Sequence, residues 1–147
     1  MVKKIILFAA TLIPLFFAVV AQSELLITNN TNPWSGGAKY ASLMISSNNN
    51  LCSGAFPRGI INPSSTTKMT ANDVRTFCGT TIPCHANVII SNSTDNAKYC
   101  AGGMIGTLIL NDFSTDDTDI IAYVLNIPGS GYTITGEKTN QISINPK

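Results

Sequence analysis

Charged residues are scarce in this chain of 147 residues, where Asp, Glu, Lys and Arg together make up 12%. Nine basic residues stand against eight acidic ones, so the formal net charge is +1. Non-specific binding of nucleic acid needs a dense basic surface, because its affinity comes from neutralising phosphates. The composition therefore excludes a nucleic-acid partner, and it predicts a surface that neutral Asn, Ser and Thr side chains keep soluble.

The sequence also lacks the spacings that are typical of metal and thiol centres. Its one histidine, His85, follows Cys84, and five residues separate Cys84 from Cys78. Zinc sites use pairs in which about two to four residues separate the ligands, and thioredoxin-type sites use C-x-x-C. Neighbours on a strand point to opposite faces, so Cys84 and His85 do not form a catalytic dyad. We predict no metal, no cofactor, a disulfide at these cysteines and an ordinary surface position for His85.

The beginning of the chain has the features of a secretory signal. Met1–Lys4 is basic, residues 5–20 form an apolar run, and Ala21 suits signal peptidase. Cleavage after Ser23 is the second choice, and an uncleaved membrane anchor is the alternative interpretation. We therefore predict a signal peptide over residues 1–21, a secreted or periplasmic protein, and no membrane span after cleavage.

The exported part, residues 22–147, is long enough for a single domain with its own core. It holds all four cysteines of the chain, which are Cys52, Cys78, Cys84 and Cys100. An even number of cysteines in an oxidising compartment predicts two disulfides. The chain-entropy model gives about 6.5 kcal/mol in total for nested and for sequential pairing alike, so energy leaves both open.

Strand patterns dominate the exported part. The segment Cys84 to Ser91 alternates, and residues 104–110 and 120–127 are nearly continuous apolar runs typical of buried strands. Only Thr70–Phe77 has a helical pattern, with Thr70 and Asp73 as a capping pair. Further short strands are expected at residues 25–28, 40–46, 132–135 and 141–145. We predict an all-β fold, an antiparallel β-sandwich, with a partly open barrel as the alternative.

Several fragments, read in order, resemble the thaumatin-like family. "ITNNTNPW" at residues 27–34 is similar to its opening strand, and "CSGAFP" takes the place of the Gly-rich turn that follows. "RTFC" at residues 75–78 is close to R-T-x-C, and "CAGG" at 100–103 to C-G-G. Residues 107–134 resemble the stretch that begins T-L-A-E and ends in G-F-N-x-P. The resemblance covers most of the chain, although full-length relatives have many more cysteines and a further disulfide-rich domain.

This resemblance implies a thaumatin-like β-sandwich and a specific disulfide pairing. In the family, the R-T-x-C cysteine pairs with the next cysteine, which implies Cys78–Cys84 and leaves Cys52–Cys100. Active members carry two acids in a cleft, but those places here read "TLIL" and "VLNI". A glycosidase needs two carboxylates that flank the scissile bond. The resemblance therefore implies a fold much more than hydrolysis, and we assign no catalytic residue.

Five residues are candidates for binding. Trp34 could stack on sugar rings together with Tyr40 and Tyr132, and the alternative is that Trp34 is buried under its own loop as a local core. Asp112 and Asp116 belong to the acidic loop "NDFSTDDTD", which either binds calcium or is a plain solvated loop. These two aspartates are also the only carboxylate pair that we could nominate for catalysis.

We therefore expect an exported monomer with a non-enzymatic binding role outside the cell. The expected partner is a polysaccharide or a component of a host cell surface. One alternative is a degenerate glucan hydrolase that uses Asp112 and Asp116. Another is a protease inhibitor that offers Arg58 from the "FPRGI" loop. The two sequons, which begin at Asn29 and Asn92, would carry glycans only in a eukaryotic secretory route.

Overall fold

The computed structural model describes residues 24–32, 39–45, 60–80, 83–98, 100–111, 121–136 and 140–147. This part of the chain forms eight strands and two short helices, so the predicted all-β class is confirmed. The elements are β1 (Glu24–Asn29), β2 (Tyr40–Ile45), β3 (Ser65–Thr70), α1 (Ala71–Cys78), β4 (Cys84–Ser91), α2 (Thr94–Lys98), β5 (Gly103–Asn111), β6 (Ile121–Asn126), β7 (Tyr132–Thr135) and β8 (Gln141–Pro146).

The strands form two four-stranded sheets. Sheet I has the order β3-β1-β8-β7, and sheet II has the order β2-β4-β5-β6. All pairs are antiparallel except β1 and β8, where Thr28 lies opposite Ser143 in a parallel pair. This corrects the expectation of a wholly antiparallel sandwich. A parallel pair needs a long crossover connection, and here the chain passes through sheet II before β8 returns beside β1.

The hydrophobic core lies between the two sheets. Alternate residues of β1, such as Leu25 and Ile27, are fully buried, and Leu43 and Leu108 face them from sheet II. Period-two alternation directs these side chains to one face of each strand. The largest buried side chains of the described residues are Leu25, Ile27, Leu43, Ile61, Met69, Ile105, Leu108, Leu110, Ile142 and Ile144.

Strand β4 is covered on both faces. Its inward residues are those predicted from the alternation, since Cys84, Ala86, Val88 and Ile90 are all buried. On the opposite face only His85 is exposed, as expected, whereas the other outward residues of β4, namely Asn87, Ile89 and Ser91, are also buried. Helix α2 packs against β2 and β4, and its Ala97 is fully buried.

Helix α1 begins at the capping pair that the sequence predicts. The Thr70 hydroxyl accepts from the backbone N–H of Asp73 at 3.2 Å, and the Asp73 carboxylate accepts from the backbone N–H of Thr70 at 2.9 Å. The helix ends at Cys78, and Gly79 follows at φ 66°, a conformation that favours glycine. These two hydrogen bonds satisfy backbone N–H groups that have no partner within the first turn of the helix.

A disulfide joins the end of α1 to the start of β4. Cys78 and Cys84 are bonded, with Cα atoms 5.7 Å apart, so this predicted pairing is confirmed. Both residues are buried, and neither is available for thiol chemistry. Closing so short a loop contributes about 2 kcal/mol in the chain-entropy model. Cys52 lies outside the described residues, and so does any bond that it makes.

The side chain of Asn29 bridges the two sheets. It is fully buried at the end of β1, and its Nδ2 donates to the carbonyls of Lys39 at 2.8 Å and Ile61 at 3.0 Å. Its Oδ1 accepts from the backbone N–H and the hydroxyl of Thr31, at 3.1 and 2.7 Å. A primary amide has two donor hydrogens and two acceptor sites, and all four are used here. The Nδ2 atom of Asn29, to which a glycan of the first sequon would be attached, is therefore buried and used in hydrogen bonds.

We expect Asn29→Asp to lower the free energy of unfolding by about 3 kcal/mol. The change keeps the shape of the side chain but removes both N–H donors, which leaves two buried carbonyls facing a carboxylate. The matched control is Asn30→Asp, since Asn30 is exposed and its side chain bonds to Asn145 at the surface. Urea unfolding of both variants measures the difference. An equal loss in the two variants would show that the sheets do not depend on this bridge.

Candidate functional site

A cleft opens at the end of the sandwich where β4 ends and β2, β5 and β7 begin. We call it the end cleft, and its volume is ≈ 410 Å³. The described residues that line it come from both sheets and from α2. They are Lys39, Ile90, Ser91, Asn92, Asn96, Ala101, Gly102, Gly103, Met104, Ile105, Ser130 and Tyr132.

One wall of the end cleft carries a lysine and two asparagines. The ammonium group of Lys39 donates to Oδ1 of Asn92, which directly follows β4. Asn96 stands in α2, where its backbone N–H is held by the hydroxyl of Ser93 at 3.2 Å. Asn92 and Asn96 are exposed, so their amide groups can reach a ligand. This wall therefore presents one positive charge together with amide donors and acceptors.

The floor of the end cleft is bare backbone. A Cβ atom at Gly102 would lie 2.2 Å from the carbonyl oxygen of Ile90, so only glycine lets β5 start this close to β4. A Cβ atom at Gly103 would meet nothing within 4 Å. Gly103 pairs with Ile90, and paired residues direct their side chains to the same face. The missing side chain at Gly103 is therefore part of the space in the cleft.

The opposite wall consists of the turn before β7. The hydroxyl of Ser130 donates to the carbonyl of Tyr132 at 3.0 Å, and the backbone N–H of Ile127 donates to the carbonyl of Ile105 at 2.9 Å. Ile105 is the extra residue of a β-bulge, because Met104 and Gly106 pair with consecutive residues of β4. Tyr132 is half-buried and packs against the core. This wall is thus fixed to both sheets.

The chemistry of the end cleft suits binding. Among its described lining residues there is no carboxylate, histidine or cysteine that could act as an acid, base or nucleophile. The lining instead combines an ammonium, two amides, hydroxyls and a tyrosine ring. Such a combination can hold a polar ligand through hydrogen bonds on one side and an aromatic surface on the other.

The structure separates the residues predicted for binding. Tyr132 lines the end cleft. Tyr40 does not: it begins β2 opposite Ser91 and is half-buried. The other three, Trp34, Asp112 and Asp116, lie outside the described residues, and so do Arg58 and most of the acidic loop.

The sequence analysis did not identify the wall of the end cleft that is formed by Lys39, Asn92 and Asn96. Lys39 and Asn96 lie in polar segments that have no distinctive motif, and Asn92 attracted notice only as part of a sequon. The two glycines appeared only as part of "CAGG". One sequence signal could have indicated the floor of the cleft, namely two adjacent glycines directly before an apolar strand. Glycine in such a position is typical of a close approach between two backbone segments.

The described residues contain neither a metal-binding cluster nor a membrane-spanning helix. No three His, Cys, Asp or Glu side chains there are close enough together to hold a metal ion. Neither helix in that part of the chain has the length and hydropathy needed to cross a bilayer.

Comparisons with known proteins do not assign a family. No protein-family model, no curated protein and no solved structure matches this chain. The resemblance to the thaumatin-like family therefore stays a prediction, and the function has to be argued from the end cleft.

We expect the two floor glycines to respond differently to alanine. Gly102→Ala should lower the free energy of unfolding by about 2 kcal/mol, because its methyl group would overlap the Ile90 carbonyl and force β5 away from β4. Gly103→Ala should change it by less than about 0.5 kcal/mol, because the methyl group enters open space. Thermal and urea unfolding of both variants test the close approach, and equal effects would contradict it.

Proposed function

We propose that this protein is exported and binds an extracellular glycan in the end cleft without catalysing its cleavage. The observation that carries the proposal is the lining, which combines Tyr132 with Lys39, Asn92 and Asn96 and with the side-chain-free backbone of Gly102 and Gly103. Sugars present C–H faces and hydroxyl groups together. An aromatic ring suits the former, and amides, which both donate and accept, suit the latter.

The absence of carboxylates from the described lining favours binding over hydrolysis. Glycoside hydrolysis uses an acid and a base or nucleophile on either side of the scissile bond. The acid nearest in sequence to the cleft asparagines is Asp95, which is exposed on α2 and is not among the lining residues. A volume of ≈ 410 Å³ falls in the range of small-molecule sites, about 300–1,000 Å³.

The proposed location is outside the cytoplasm, after removal of residues 1–21. The Cys78–Cys84 disulfide supports it, because disulfides persist in oxidising compartments. We further propose the thaumatin-like type of sandwich as a monomer, and a second disulfide, Cys52–Cys100. None of the described cysteines is a free thiol. The Cys100 sulfur lies 3.9 Å from the carbonyl oxygen of Leu43 in β2, and the short segment after β2 can bring Cys52 back to it.

Peptide mapping of the exported protein tests this part of the proposal. We expect an intact mass that corresponds to a start at Gln22. Non-reducing digestion should give a linked Cys52–Cys100 peptide pair beside Cys78–Cys84. The loop closed by Cys52 and Cys100 is long, so this bond should contribute more stability than the short one. A free thiol at Cys52, or a mature chain that keeps residues 1–21, would contradict the proposal.

A glycan array tests the binding function. The wild-type protein should be retained, and Tyr132→Leu should weaken binding by about 3- to 10-fold, because it keeps an apolar side chain but removes the stacking surface. Gly103→Val should reduce binding further by filling the floor. Tyr40→Leu is the matched control, since Tyr40 does not line the cleft, and it should bind like the wild type.

Two outcomes would refute the glycan proposal. One is an array on which the folded wild-type protein is retained nowhere. The other is retention that Gly103→Val leaves unchanged, because a ligand in the end cleft has to meet the added side chain. Circular dichroism and melting temperatures of all variants separate lost binding from lost folding.

A further inference from the structure

We infer that the end cleft selects acidic saccharides, in which Lys39 binds the carboxylate of a hexuronate unit. This inference rests on the proposed glycan binding and names the class of glycan. Its starting point is charge, because Lys39 is the only charged side chain among the described residues that line the cleft.

Lys39 is held in position by the bridge between the sheets. Its backbone carbonyl accepts the hydrogen bond from the buried Nδ2 of Asn29 at 2.8 Å. Lys39 directly precedes β2, so its side chain starts from a fixed point at the edge of the cleft. The hydrogen bond from its ammonium group to Asn92 then holds the charged end of the side chain at the cleft before any ligand arrives, which lowers the ordering cost of binding.

The hydrogen bonds around Lys39 leave an excess of donors. An ammonium group has three N–H donors, and the bond to Asn92 uses one of them. The same bond uses one of the two acceptor sites of Asn92 Oδ1, whereas both N–H donors of that amide remain available. A cluster that offers mainly donors and one positive charge matches an anionic oxygen group, and hydrogen bonds of this charge-assisted kind are the stronger ones.

No carboxylate of the described residues forms an ion pair with Lys39. The ion pair that the described residues do form joins Lys68 to Glu24 at 3.1 Å, on the outer face of sheet I. A ligand carboxylate would supply the missing counter-charge at the cleft. Tyr132 on the opposite wall then selects a carboxylate that is attached to a ring able to stack, as in a hexuronate.

Matched pairs of oligosaccharides test the inference. Each hexuronate-containing oligosaccharide is compared with its carboxyl-reduced counterpart, which differs only in having CH₂OH in place of COO⁻. We expect the acidic member to bind at least about tenfold more tightly at low salt. The preference should shrink as salt is added, because the charged groups are partly open to solvent.

Three variants assign the preference to Lys39. Lys39→Gln should abolish the preference, so that the acidic member binds no more tightly than its reduced counterpart, whereas Lys39→Arg should keep the preference. The backbone bond from Asn29 is the same in all of them, so folding is preserved. Lys68→Gln is the control for net charge, because it removes one positive charge far from the cleft, and it should behave like the wild type.

The outcomes distinguish this inference from the proposed function. Equal binding of acidic and reduced sugars, with both weakened by Tyr132→Leu, would overturn the charge selection and leave glycan binding standing. A preference that survives Lys39→Gln, or falls equally with Lys68→Gln, would also overturn it. Binding of neither member, together with retention of the folded wild-type protein by other glycans on the array, would overturn the selection of hexuronates and leave glycan binding standing.

Discussion

The fully buried side chain of Asn29 is the constraint on which one half of the sandwich depends. It stands at the end of β1 in sheet I and donates to two carbonyls, those of Lys39 and Ile61. Ile61 in turn exchanges backbone hydrogen bonds with Ala41 of β2, at 2.8 and 3.0 Å. The side-chain amide of Asn29 therefore fixes the position of β1 in sheet I relative to β2 at the edge of sheet II. Because the amide is buried with every donor and acceptor used, a residue that cannot both donate and accept leaves polar groups stranded.

A second asparagine makes the corresponding connection at the opposite edge. The side chain of Asn126, the last residue of β6, accepts from the backbone N–H of Ile134 at 2.7 Å and donates to its carbonyl at 2.9 Å. The amide thus makes the two hydrogen bonds to Ile134 that a neighbouring strand would otherwise make, and it joins β6 of sheet II to β7 of sheet I. A Cβ atom at Gly106 would lie 2.5 Å from the Leu125 carbonyl, so a side chain there would displace β6 and this connection. The two asparagines therefore tie sheet I to both edges of sheet II, one beside β2 and one beside β6, and the end cleft lies between these connections.

The sequence predicted well what depends on neighbouring residues. The Thr70–Asp73 capping pair and the alternation from Cys84 to Ile90 are local patterns, and they follow from backbone geometry alone. The parallel pairing of β1 with β8, the bulge at Ile105 and the end cleft depend on contacts between distant segments. Asn29 illustrates the difference. In the sequence it is one polar residue among several, and only the position of Ile61 shows that its amide belongs to the core.

The same arrangement supports the selective site that we propose for a protein with so few charges. Lys39 is bonded through its carbonyl to Asn29, and Tyr132 stands two residues before Ile134, which Asn126 holds. Each wall of the end cleft is therefore attached to one of the two connections between the sheets. A ligand meets groups that are already in place, so little of its binding free energy is lost in ordering the protein. Where charges are sparse, no neighbouring carboxylate of the described lining offsets the ammonium group, so in the proposed site a single lysine would be enough to favour an anionic sugar over its neutral counterpart.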